Sequence, residues 1–220
     1  IDRLVEIFNA CWPMYAAMPA VLKDAIERSY QKVGWDLRNS ESEKGVFPTF
    51  FDLLDILPGV IEESHYSKDT QSDYVGALCT RVKSLTNGIY GSVLCAEDAL
   101  SDAEMFDQNV IVDLSRVGSM ETKSLLMGIL VMKLQEYRMC SSGMNSRLRH
   151  VTVLEEAHNL LRKTSAEQSQ EGANLQGKSV EMLANAIAEM RTYGEGFIIA
   201  DQAPGLLDMS VIRNTNTKII

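Results

Sequence analysis

The spacing of apolar residues changes character about midway along the chain. In the first half they recur at helical intervals. Leu4, Ile7, Phe8 and Cys11 share one face of a short helix that Pro13 closes, and Val21, Leu22, Ala25, Ile26 and Tyr30 line a second that follows Pro19 and ends near Gly34. A polar connector over residues 39–45 precedes a third helix built on Phe50, Phe51, Leu53, Leu54 and Leu57, which Pro58-Gly59 is expected to break. A fourth carries Tyr74, Leu78, Val82 and Leu85 and stops at Asn87-Gly88. No group of reactive side chains recurs among these helices. They read as a structural portion over residues 1–105, an insertion or lid.

From Asn109 onward short continuous apolar runs alternate with helical patterns. Val110, Ile111 and Val112 read as a buried strand ending at Asp113, followed by a helix over residues 120–137. The run HVTVLEEAH (150–158) is the next strand. A polar, mobile loop over residues 162–177 leads to a helix over 180–193 that Gly194 caps. Phe197, Ile198, Ile199 and Ala200 form a strand ending at Asp201-Gln202, Pro204 opens a short helix through Ile212, and residues 218–220 begin another strand. Near-continuously apolar strands joined by helices imply a parallel sheet covered on both faces, so residues 106–220 read as an α/β core. Ligands of such sheets bind beyond the carboxyl ends of the strands. Asp113, Glu155, Glu156 and Gln202 all stand at those ends, on three separate strands.

The pair Glu155-Glu156 gives that edge its chemistry. Buried acids without partners are costly, and what such a pair commonly serves is a hard cation and an attacking water. One carboxylate then holds Mg²⁺ through its water shell while the next polarises the nucleophile, the Walker B arrangement of a P-loop NTPase. The plainer alternative is that Leu154 ends a core strand and both glutamates open a helix, where their charge favours its N-terminus. Gln202, one crossover later, is placed to touch a γ-phosphate or the attacking water.

Composition narrows the partners. With 45% hydrophobic and 23% charged residues in 220, the chain can bury a large core. A net charge of -9 and a pI near 4.9 mean that any contact with nucleic acid or an anionic membrane has to be local. Cys11, Cys79, Cys95 and Cys140 lack metal-ligand spacing, with one another or with His65, His150 and His158, which points to a reduced, cytoplasmic protein without structural zinc. No apolar run approaches a membrane span.

The stretches NVIVDLS (109–115), VLEEAHNLL (153–161), IAEMRTYGEGFIIADQAP (187–204) and SVIRNTNTKII (210–220) resemble, in order and over about half of the chain, HerA-like ATPases of the FtsK-HerA group. That resemblance implies a RecA-like sheet flanked by helices, Mg-ATP hydrolysis, a hexameric ring and translocation on double-stranded DNA, in some settings beside a nuclease partner. On it, Glu155 organises Mg²⁺, Glu156 is the catalytic base and Gln202 the polar sensor. Arg191 matches an arginine that reaches a neighbour's nucleotide, although a helix C-terminal cation is an equal reading. Arg213, Asn214 and Asn216 fall at a subunit interface. A secretion or conjugation motor, and a degenerate scaffold that recruits an effector, are the alternatives.

The phosphate-binding loop of that group precedes these motifs, and nothing in residues 1–113 reads as GxxxxGK[ST]. GANLQGKS (172–179) fits the letters, but no strand feeds it, so it reads as coincidence. The loop is expected before Ile1, in a longer protein.

Overall fold

A computed structural model of the chain describes residues 1–96, 98–163 and 172–219, the side chains of residues 172–175 excepted. It is a mixed α/β structure, mostly helical, that divides into two compact units.

The first unit contains residues 1–5 and 15–99. Helix α1, Asp2–Cys11, begins here and ends in the second unit. Helix α2, Met18–Lys32, opens on Pro19, whose missing N–H costs nothing in the first turn, and buries Met18, Val21, Leu22, Ala25 and Ile26. The polar connector is not bare coil: Trp35–Asp36 (β1) and Glu41–Ser42 (β2) pair as a short antiparallel hairpin. Helix α3, Phe50–Glu63, runs through Pro58-Gly59, where the sequence suggested a break. Its N-terminus is locked by a capping box between Thr49 and Asp52, and Leu53, Leu57, Val60 and Ile61 are buried on both sides of the proline. Continued burial of that stripe offsets the one lost backbone bond. The fourth predicted helix is three segments: α4, Lys68–Tyr74, a π-helical turn at Val75–Cys79, and α5, Thr80–Thr86. Tyr74, Leu78, Val82 and Leu85 lie inward along all of them. Helix α6, Gly88–Leu94, follows.

The second unit contains residues 6–14 and 100–220. Helix α7, Asp102–Phe106, unforeseen from the sequence, is set by a capping box between Ser101 and Glu104. Helix α8, Met120–Ser141, is longer than expected. Strands β3, His150–Glu155, and β4, Glu195–Ala200, pair in parallel, with Glu155 opposite Ala200. Between them lies α9, Gly172–Glu189, ending in a 3₁₀ turn, Met190–Tyr193. Gly194 closes it at φ +83°, where a Cβ would come within 2.5 Å of the Arg147 carbonyl oxygen. A 3₁₀ turn at Pro204–Leu206 and helix α10, Met209–Asn214, replace the single helix expected after Pro204.

Two expected strands are absent among the described residues. Val110, Ile111 and Val112 belong to no strand and pair with nothing in a ladder, and Ile111 is 95% exposed. An apolar run becomes a strand only beside a partner that takes its N–H and C=O groups, and β3 and β4 pair only with each other. Lys218 and Ile219 are likewise unpaired in any strand, and Ile220 lies outside the described residues. No helix among the described residues is long and apolar enough to cross a membrane.

The amino end of the sheet is fixed by a buried polar cluster. Glu195, fully buried, accepts hydrogen bonds from Arg138 Nε (2.8 Å) and Thr152 Oγ1 (2.7 Å), and His150 Nδ1 lies 2.8 Å from the same carboxylate. The Arg138 guanidinium also donates to Asp107 (2.6 Å) and to the Phe106 carbonyl. This ties α7, α8, β3 and β4 at one point.

Candidate functional site

The carboxyl ends of β3 and β4 lie side by side because the two strands are paired in register up to Glu155 and Ala200. Pairing continues one step further, with Glu156 N donating to the Ala200 carbonyl at 2.9 Å. Glu155 projects from the last position of β3 and is exposed. Glu156 then takes a left-handed backbone conformation, φ +50° and ψ 45°, rare for a residue with a Cβ. That turn redirects the chain into a 3₁₀ turn, Ala157–Asn159, and leaves the Glu156 side chain 43% exposed at the strand end.

His158 and Asp201 complete the edge. Asp201, whose side chain is 3% exposed, accepts backbone N–H bonds from His158 (2.8 Å) and Ala203 (2.8 Å) and lies 3.0 Å from His158 Nδ1. Burial alone would push its acid up; the two backbone donors and the imidazole more than offset this and hold it below the usual carboxylate range. The same Nδ1 stands 3.4 Å from Glu156 Oε2. Glu156, His158 and Asp201 thus place ligand-type atoms within 4.8 Å of one another. Gln202 follows Asp201 and is exposed.

The loops beyond the two strands are joined to each other. Lys163 N donates to the Leu206 carbonyl (2.8 Å) and Asp208 N to the Leu161 carbonyl (2.9 Å), around a bridge between Arg162 and Leu207. Ser124 of α8 hydrogen-bonds the Asn159 carbonyl.

No family model and no curated protein matches this sequence. Among solved structures, VirB4 of Thermoanaerobacter pseudethanolicus superposes with a TM-score of 0.63 at 17% identity. The two chains share a fold. The match takes in 97% of this chain and 52% of that one, so the chain spans about half the length of the VirB4 structure.

Of the residues singled out by sequence, the structure brings Glu155, Glu156 and Gln202 to one edge. Asp113 is not at a strand end. It is exposed, and the Ser115 hydroxyl together with the Ser115 N–H at 2.8 Å holds its carboxyl below the usual range. Arg191 sits in the turn before β4, at the opposite end of a strand of six residues, roughly 20 Å from the Glu156 edge at about 3.3 Å per residue. Asn214 donates to Asn185 (3.2 Å) and reaches the Ala184 carbonyl (3.5 Å), joining α10 to α9. Arg213 and Asn216 are exposed.

The GANLQGKS run forms the first turns of α9. Lys178 is exposed on it, and Ser179 is buried against Glu6 at 2.6 Å. Gly177, Lys178 and Ser179 lie past the first turn of α9, where helical N–H groups are engaged along the axis and do not wrap a phosphate. Much of the expected mobile loop, residues 164–171, lies outside the described residues.

His158 and Asp201 were passed over in the sequence. Their signal was weak but present: each stands within three residues of a strand's carboxyl end, in segments already suspected of chemistry.

The donors at this edge suit Mg²⁺. That ion keeps most of its waters and asks of the protein only one or two carboxylates beside substrate phosphates, and Glu155 offers an open carboxylate. Among the described residues no strand-fed glycine loop stands ready for the phosphates themselves.

Proposed function

We propose that the chain is part of a motor ATPase of the FtsK-HerA group, with hydrolysis centred on the carboxyl ends of β3 and β4. The observation that carries this is the pairing that sets Glu155-Glu156 beside Asp201-Gln202 at one edge of a parallel sheet. The fold shared with VirB4, a motor ATPase, supports the same reading.

In that reading Glu156 takes a proton from water as its oxygen attacks the γ-phosphorus of ATP. The bond to the bridging oxygen breaks, ADP leaves with the electron pair, and the proton passes on to the released phosphate. Glu155 would hold Mg²⁺, which would offset charge on the phosphates, and Gln202 contacts the attacking water or the γ-phosphate. Arg191, distant from Glu156 within its own chain, serves a neighbouring subunit of a ring. Arg213, Asn214 and Asn216 lie near that subunit boundary.

The sequence motifs favour a HerA-type translocase on double-stranded DNA, with a nuclease as its associate. The VirB4 fold favours a secretion or conjugation motor instead. In the full-length protein, Glu156→Gln is expected to lower ATP turnover at least a hundredfold while nucleotide affinity stays within a few-fold. Turnover that survives the substitution removes Glu156 from this role. Stimulation of turnover by double-stranded DNA favours the translocase, and its absence the secretion motor.

A further inference from the structure

We infer that His158 is a positioning residue for Glu156, held by its bonds to Asp201 so that its Nδ1 edge stands beside the Glu156 carboxylate. The inference rests on the reading of Glu156 as base and adds to it a link between the two strand ends.

The geometry leaves His158 little choice. Its backbone N–H and its ring Nδ1 both address the Asp201 carboxylate, at 2.8 and 3.0 Å, so ring and main chain are fixed by one acid. Asp201 is itself immobilised by the Ala203 N–H, and its side chain is almost wholly buried. A carboxylate has lone pairs and no proton to give, so the nitrogen facing it must be the one that carries hydrogen. Glu156 Oε2 lies 3.4 Å from that same nitrogen, within ion-pair range and short of a full hydrogen bond.

Glu156 needs such a guide. Its backbone is held in an uncommon conformation, yet its side chain has rotatable bonds and stands 43% exposed. A base left free at a strand end would spend much of its time misdirected, and misplacement by about 1 Å can cost up to a hundredfold in rate. The imidazole supplies an anchor whose own position is set from the neighbouring strand. Movement of Asp201-Gln202 therefore moves the base.

The test uses the full-length protein. His158→Ala is expected to lower kcat for ATP at least tenfold with KM changed less than twofold. His158→Asn, whose amide nitrogen stands close to the place of Nδ1, is expected to recover most of that loss. In ¹⁵N-histidine NMR near neutral pH, His158 Nδ1 is expected to carry a proton, and Asp201→Ala to lose that preference.

Wild-type kcat in His158→Ala overturns the inference, as does a loss that His158→Asn does not reverse. A ring protonated only at Nε2 overturns it too, and this reading stands even if His158→Ala does not fold. Should Glu156→Gln hydrolyse ATP normally, the base assignment fails first. Should Glu156→Gln be inactive and His158→Ala fully active, only the positioning role fails.

Discussion

Replacing Arg138 by methionine tests whether the polar cluster at the amino end of the sheet holds the second unit together. The Arg138 side chain is 3% exposed and that of Glu195 not at all. In the wild type the guanidinium meets Glu195, Asp107 and the Phe106 carbonyl, while Thr152 and His150 take the other oxygen of Glu195. Methionine fills much of the arginine stem's volume, so packing changes little. What changes is that Glu195 Oε2 loses its donor in a place water does not reach. Breaking a buried pair in this way costs about 3–5 kcal/mol. Asp107 is 46% exposed, so water replaces its lost partner at small cost.

At roughly 2–4 °C per kcal/mol for a protein of this size, the melting temperature is expected to fall by about 6–20 °C. Equilibrium urea denaturation of wild type and Arg138→Met, followed by circular dichroism, gives the free-energy difference directly. The double variant Arg138→Met/Glu195→Leu removes the stranded charge and is expected to recover part of the loss. A loss below about 1 kcal/mol for the single change, or a double variant weaker than the sum of both single changes, would refute the account.

Two further outcomes follow from the carboxyl edge. Asp201 is held below the ordinary carboxylate range by the His158 and Ala203 N–H groups, so its contribution to stability is present above about pH 4 and is lost as the pH falls through its lower folded value. The stability gap between wild type and Asp201→Asn, measured by urea denaturation, is therefore expected to be widest near neutrality and to narrow towards pH 3; a gap independent of pH contradicts this. Glu156→Gly, at φ +50°, relieves a left-handed conformation costing about 1–2 kcal/mol against some added chain entropy, so it is expected to be at least as stable as wild type while losing turnover. A less stable glycine variant would show that the Glu156 side chain is itself a structural contact.

Much of this was legible in advance where periodicity is strong. The stripes of α2, of α3, and of the inward Tyr74, Leu78, Val82 and Leu85 fall where apolar spacing puts them, and β3 ends where LEE says it should. Pro58 misled because local backbone rules cannot weigh the burial of Leu57, Val60 and Ile61 around it. Val110, Ile111 and Val112 misled because strand propensity describes a fit to neighbours, and no neighbouring strand takes up their backbone. The edge carrying Glu155, Glu156 and Gln202 could be named from its acids and its place in the alternation. The His158–Asp201 contact could not, since it depends on parallel register between residues 43 positions apart.

The stitched loops past β3 and β4 have a mechanical consequence. Sliding one strand end away from the other would break the bonds Glu156 to Ala200, Lys163 to Leu206 and Asp208 to Leu161, each worth about 1 kcal/mol. A tug of a few kcal/mol on either loop is therefore met by both, and α10, which follows the second loop, is in turn held to α9 through Asn214.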